Sequence, residues 1–145
     1  MSKWAQGEFL PKHPEKYLGT RRIKYRSSWE WTFANFCDNH PNVIGWASES
    51  IQIPYFNPVL GKQTIYVPDF LVIYVDKNGQ QHGELIEVKP SKEAIAERAK
   101  TARDKLVLAI NTAKWRAAAA WCKQQNLVFR VVTERELFAN GRGRK

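Results

Sequence analysis

An α/β fold, with a mixed β-sheet flanked by helices, is expected from three features of this 145-residue chain. Strand-like segments follow one another between Val43 and Lys89, each bounded by Pro, Gly or a polar turn. A long stretch of helical period, from Ser91 to Gln125, then separates them from a further apolar segment, Leu127 to Thr133. A crossover of that length lets the last strand pair in parallel, which converts an antiparallel meander into a mixed sheet.

Taken in order, residues 1–24 mix Pro, Gly, Lys and Trp without periodicity and read as an irregular arm, with Trp4 and Tyr17 as anchors. Ser27-Ser28-Trp29-Glu30 opens an amphipathic helix in which Trp29, Phe33, Phe36 and Cys37 recur at helical spacing, and Pro41 marks its end. Val43 to Phe56 reads as a first strand with room for a bulge, since Trp46, Ile51 and Ile53 alternate against Ser50 and Gln52. Thr64 to Val75 is the second strand, apolar on both faces as a central, covered strand is, and Asp69 is the one charge inside it. Asp76-Lys77-Asn78-Gly79 forms a hairpin turn into the third strand, His82 to Lys89, which Pro90 ends. In the helical stretch Ile95, Ala99, Ala102, Leu106, Ala109, Ala113, Ala117 and Trp121 keep the period, and Asn111-Thr112 marks a break between two helices. Thr133-Glu134-Arg135-Glu136 is a capping box for a last helix. The whole, residues 1–145, is expected to be one domain with a mobile basic tail over 140–145.

Composition limits the partners. A net charge of +9 and a pI near 9.7 favour a polyanion, because basic side chains that neutralise phosphates release condensed counterions. Arg21, Arg22, Lys24 and Arg26 cluster before the first helix, Arg142 and Arg144 lie in the tail, and Lys114 on the late helix is a further phosphate contact. No apolar run reaches membrane-spanning length and the amino-terminal stretch has no signal-peptide core, so no membrane partner and an intracellular site are expected. Cys37 and Cys122 lack metal-ligand spacing and read as packed, reduced thiols.

The chemistry concentrates in Val67-Pro68-Asp69 and Glu87-Val88-Lys89. Charge is expensive in such apolar, strand-like surroundings, and buried carboxylates on adjacent strands repel one another unless a cation joins them. If Asp76 pairs with Gln80 around a three-residue loop, with Gly79 in the left-handed position, Asp69 lies opposite Glu87 on the same face. A two-residue Asn78-Gly79 loop sends the two to opposite faces. Hard cations such as Mg²⁺ take carboxylate and carbonyl oxygens, which Asp69, Glu87 and the Val88 carbonyl supply. Lys89, two residues on, projects to the same side as Glu87, placed to orient or deprotonate water or to stabilise charge on a phosphoryl group. Glu30 has two readings: the closing glutamate of a Ser27 capping box, and a third metal-facing carboxylate. Glu49 is a weaker alternative, and His82 reads as a surface residue beside the turn.

With those residues in view, Asp69, Glu87 and Lys89 match the signature of the PD-(D/E)xK nuclease superfamily. The element order resembles that superfamily's restriction-endonuclease-like core of helix, three strands, helix, strand. The segments Tyr25-Arg26-Ser27-Ser28-Trp29-Glu30, Asn42 to Tyr55, Ile86-Glu87-Val88-Lys89-Pro90, Lys114-Trp115 and Phe129 to Glu134 resemble, in order, the head-completion nucleases of tailed phages. The likeness covers Trp4 to Glu136. It implies a Mg²⁺-dependent deoxyribonuclease, with Mn²⁺ as a substitute, whose catalytic residues are Asp69, Glu87, Lys89 and Glu30. It also implies a double-stranded DNA substrate, phage head or portal and neck proteins as partners, and action in the cytoplasm of an infected bacterium or within the virion. The same Glu, Asp and Glu-x-Lys pattern is similar to the endonuclease subunit of some transposases. A DNA-end-binding assembly protein on a nuclease fold is the non-enzymatic alternative.

Overall fold

The computed structural model describes residues 6–141, so Trp4, Arg142 and Arg144 lie outside the described residues. The arm is not irregular as its composition suggests. Strand β1 (Gly7–Phe9) pairs antiparallel with β2 (Ile23–Tyr25), and a 3-10 turn at Pro14–Lys16 lies between them. Helix α1 (Ser28–Asn39) starts at the expected cap, with the Ser27 hydroxyl accepting from the Glu30 N–H at 3.2 Å. Its carboxyl-terminal end is satisfied by the arm. Lys16 Nζ donates to the carbonyls of Asp38 and His40, 2.9 Å each, and buried Asp38 accepts from the backbone of Lys12 and His13.

The first two expected strands are each divided. Val43 to Phe56 becomes β3 (Val43–Ser48) and β4 (Ile53–Asn57), separated where Glu49 turns to a φ of 51°. Thr64 to Val75 becomes β5 (Lys62–Tyr66) and β6 (Phe70–Val75), separated at Val67-Pro68-Asp69, because Pro68 has no N–H to give a ladder. β4 and β5 form their own antiparallel hairpin, inserted between β3 and β6. The expected bulge lies within β3, where the register shifts between Val43 and Gly45. Strand β7 (Gln81–Val88) follows the predicted turn.

Beyond Pro90 the chain makes a short helix, α2 (Ser91–Ala94), a 3-10 turn at Ala96–Arg98 and then one unbroken helix, α3 (Ala102–Gln124). The interruption therefore falls before Thr101, whose side chain forms a capping box with Asp104, and not at Asn111-Thr112. Those two poor helix formers are satisfied in place. Buried Asn111 bonds the Glu93 carbonyl at 3.4 Å and Thr112 bonds the Leu108 carbonyl at 2.8 Å. Strand β8 (Val128–Val132) leads into α4 (Glu134–Gly141), and Glu136 closes back on the Thr133 N–H at 2.8 Å. Residues 140 and 141, expected in the tail, belong to α4, and 142–145 lie outside the described residues.

The main sheet has the order β3-β6-β7-β8, antiparallel except for the β7–β8 pair, which is parallel as the crossover permits. Side-chain alternation divides the interior into two clusters. Phe70, Val72, Ile86 and Val88 face α1 with Phe33, Cys37 and Trp46, while Leu71 and Leu85 face α3 with Tyr66, Ala118 and Cys122. The two thiols are thus buried and free, in separate clusters. The arm covers the outer edge of β3, where Leu18 N–H donates to the Trp46 carbonyl at 2.7 Å and the Tyr17 hydroxyl accepts from Ser48 N–H at 3.1 Å. Among the described residues no helix is long and apolar enough to cross a membrane.

Candidate active site

The β6–β7 hairpin has the register that the three-residue loop requires. Asp76 N–H donates to the Gln80 carbonyl at 2.9 Å, Val75 opposes Gln81, and the ladder runs to Phe70 opposite Ile86. Gly79 occupies the left-handed position with φ 81°. One step further places Asp69 opposite Glu87, and the Val88 N–H donates to Asp69 Oδ2 at 2.8 Å. His82 lies at the surface by this turn, its Nε2 2.8 Å from Asp76 Oδ2.

Odd-numbered residues of β7 face α3, so Glu87 shares a side with Leu85 and lies beneath that helix. It is buried, 6 % exposed, and the Tyr66 hydroxyl donates to its Oε1 at 2.8 Å. Lys89 Nζ stands 3.7 Å from Glu87 Oε2 and 3.8 Å from Glu93 Oε1. The backbone of this segment is fixed from the other side, since Lys89 N–H donates to the Val132 carbonyl at 3.0 Å. From α3, Lys114 places its Nζ over the Tyr66 ring, 5.5 Å from the centroid.

Electrostatics single out the acid pair. Burial raises the Asp69 pKa well above its usual range, and the Glu87 charge raises it further. Burial likewise raises Glu87, opposed by the Tyr66 hydrogen bond and by the charges of Lys89 and Lys114. Lys114 is pushed down by burial and then by Lys89, while both acids pull it back. Two carboxylates that resist joint ionisation call for a proton or a cation between them, and their hard oxygens suit a divalent ion such as Mg²⁺.

Glu30 contributes differently from its neighbours. Its helix packs on the opposite face of the sheet, and its Oε1 accepts from the Arg26 N–H at 3.0 Å. Burial raises its pKa, the Arg26 contacts lower it, and its charge acts on Asp69. The Ser27 cap forms, but Glu30 closes on the Arg26 N–H and not on that of Ser27, so the expected box is only half made, and the Glu30 charge reaches Asp69. Among the described residues no group of three or more His, Cys, Asp or Glu side chains is arranged to chelate an ion. The Glu49 carboxylate is engaged by the Arg26 guanidinium, and the Glu49 N–H donates to the Asp69 carbonyl at 2.9 Å.

The basic residues named from sequence separate in space. Lys114 is in electrostatic reach of both acids, the Arg26 guanidinium is paired with Glu49, Arg21 lines a cavity of ≈ 350 Å³ with Tyr17, Glu49 and Gln52, and Arg22 and Lys24 are exposed on the arm, Arg22 3.7 Å from Glu8. Sequence reasoning missed Tyr66. In one unbroken strand it shares a face with Phe70 and Val72, but the Pro68 interruption resets the alternation and turns it toward Glu87. Pro68 was the available signal.

Comparison with known proteins identifies the family. Over 146 aligned residues the chain is 34 % identical to the head completion nuclease of Enterobacteria phage T4, covering 93 % of this chain and 95 % of that protein. Residues 40–134, which hold Asp69, Glu87, Lys89 and Lys114, match the family described as TnsA-like endonuclease N terminal. The chain belongs to the TnsA-like endonuclease N-terminal family, with a PD-(D/E)xK-type nuclease fold.

Proposed function

We propose that this protein is a divalent-metal-dependent deoxyribonuclease that cuts double-stranded DNA during completion of phage heads, before they join tails. The observation that carries the reading is the position of Asp69 one step beyond the Phe70–Ile86 pair, bonded to the Val88 N–H at 2.8 Å beside Glu87, with Lys89 Nζ 3.7 Å from Glu87 Oε2. In this reading Asp69, Glu87 and the Val88 carbonyl hold Mg²⁺, for which Mn²⁺ substitutes, and Glu30 completes the negative charge. When bound, the ion supplies polarisation of the phosphoryl group and activation of water. Lys89 orients the attacking water or neutralises charge on the phosphoryl oxygens. Lys114 and Arg26 meet flanking phosphates, and Arg21, Arg22 and Lys24 continue the basic track along the arm. The partners are DNA and head, portal or neck proteins, in the infected bacterium's cytoplasm or on the particle.

The nearly full-length likeness to a head completion nuclease favours this setting. A transposase-type endonuclease subunit is the second reading, favoured by the family match over residues 40–134. The test is incubation of purified protein with supercoiled and linear duplexes, in Mg²⁺ and in EDTA, beside Asp69→Ala and Lys89→Ala. Metal-dependent cleavage lost in both variants is expected, and the conversion of circles separates internal cutting from end trimming. Equal cleavage by wild type and variants would falsify the site. Phage heads assembled with Asp69→Ala that join tails normally place the protein among non-catalytic assembly factors.

A further inference from the structure

Glu87 is held by a residue that neither sequence motif contains. Tyr66 ends β5, in the hairpin inserted between β3 and β6, and its ring is 3 % exposed. Tyr55 and Phe129 meet that ring edge-on from two sides, each with centroids 6.4 Å away, and Lys114 Nζ lies over its face. Such packing restricts the direction in which the phenol can point. Its O–H donates to Glu87 Oε1 at 2.8 Å, which leaves Oε2 toward Lys89. A glutamate's terminal torsion is broad in the absence of such a bond, so a fixed donor on one oxygen determines where the other sits.

We propose that Tyr66 is a positioning residue of this nuclease: its hydroxyl orients the Glu87 carboxylate so that Oε2, on the side of Lys89, is presented to the divalent cation. The carboxyl-terminal end of β5 thereby supplies a residue that acts on the site through Glu87. This rests on the reading of Asp69, Glu87 and Lys89 given above.

The decisive variant is Tyr66→Phe in the full chain, which removes the hydroxyl and keeps the ring, its packing and the Lys114 contact. Mn²⁺ binding is measured by calorimetry without DNA, and kcat and KM are measured on linear duplex. Mn²⁺ affinity is expected to fall about 10- to 100-fold and kcat by a similar factor, with KM for DNA unchanged. Tyr55→Phe is the control, since it removes a hydroxyl from the same cluster, one that contacts Asn57 at 3.4 Å, and it should leave all three values alone. Wild-type Mn²⁺ affinity and kcat in Tyr66→Phe overturn the inference. So does a parallel decline of both Tyr→Phe variants with lowered melting temperature, which marks a packing role only. Glu87→Gln separates the two levels. If it abolishes cleavage while Tyr66→Phe is silent, the positioning role alone fails; if it cleaves normally, the site reading fails and this inference with it.

Discussion

Asp69→Asn is expected to stabilise the metal-free protein while abolishing cleavage. The substitution keeps size and keeps an acceptor for the Val88 N–H, which now bonds Oδ2 at 2.8 Å. What it removes is one of two like charges. Directly opposed residues have Cβ atoms about 5 Å apart, and at an effective dielectric of about 20 two charges at that distance repel by about 3 kcal/mol. Lys89, at 3.7 Å from Glu87 Oε2, and Lys114 offset part of that repulsion. A net gain of about 1–2 kcal/mol follows, or about 3–8 °C in melting temperature for a chain of this size.

The gain has a definite pH dependence. Well below the ordinary Asp value of 3.8 the group is neutral in both folded and unfolded chains, and wild type and variant should melt together. Above it the unfolded chain ionises first, because burial and Glu87 raise the folded-state pKa. The native state then holds the extra proton, and wild-type stability falls as pH climbs toward that raised value, a loss the Asn variant does not share. Mg²⁺ should close the gap from the other direction, adding about 2.7 kcal/mol to wild type at about 100 times its dissociation constant and less to the variant. Circular-dichroism melts at about pH 2.5 and about pH 7, in EDTA and in Mg²⁺, measure all of these terms. A variant no more stable than wild type at neutral pH in EDTA refutes the coupled-acid account.

Two further outcomes follow from single side chains. Lys114→Ala should raise KM for DNA several-fold and reduce the slope of log K against log salt by about 0.9; an unaltered slope removes Lys114 from the phosphate contacts. Gly79→Ala should cost about 1 kcal/mol in urea unfolding without changing kcat, since φ is 81° and open space surrounds the position, so the cost is purely conformational. No loss of stability contradicts the left-handed turn.

The legible part of the site was local. Asp76 accepts from the N–H groups of Asn78 and Gln80 at 2.8 and 3.0 Å, and Gly79 supplies the left-handed step, so four residues set the register that aligns Asp69 with Glu87. The β4–β5 hairpin was not legible in the same way. The phase of the alternation shifts across Glu49, from Trp46 to Ile51 and Ile53, but that shift reads from sequence as a bulge in one strand, because a non-glycine residue in the left-handed region leaves no trace in composition. Asn111 and Thr112 misled in the opposite sense: weak intrinsic propensity suggested a break, and tertiary hydrogen bonds removed the reason for one. Lys114 reads from sequence as a phosphate contact, and its place over Tyr66, within reach of Glu87, is determined only by the whole fold.

The irregularities that defeated the strand assignment are gathered at the end of the sheet where the acids lie. Glu49 adopts φ 51° and donates its N–H to the Asp69 carbonyl, Pro68 stops the β5 ladder one residue before Asp69, and Pro90 stops β7 one residue after Lys89. A regular sheet has no need of these departures, and a non-glycine residue in the left-handed region costs about 1–3 kcal/mol. Here each has a use for the site. The Glu49 turn begins the excursion that carries Tyr66 to Glu87, while its side chain occupies Arg26 and its backbone fixes the peptide of Asp69. Pro68 resets the alternation so that Tyr66 and Asp69 reach Glu87 from two strands, and ending β7 at Pro90 leaves Lys89 between Glu87 and Glu93. The two clusters, one on each face of the sheet, offset the strain and the buried charge, and the proposed site occupies the place where the sheet stops being regular.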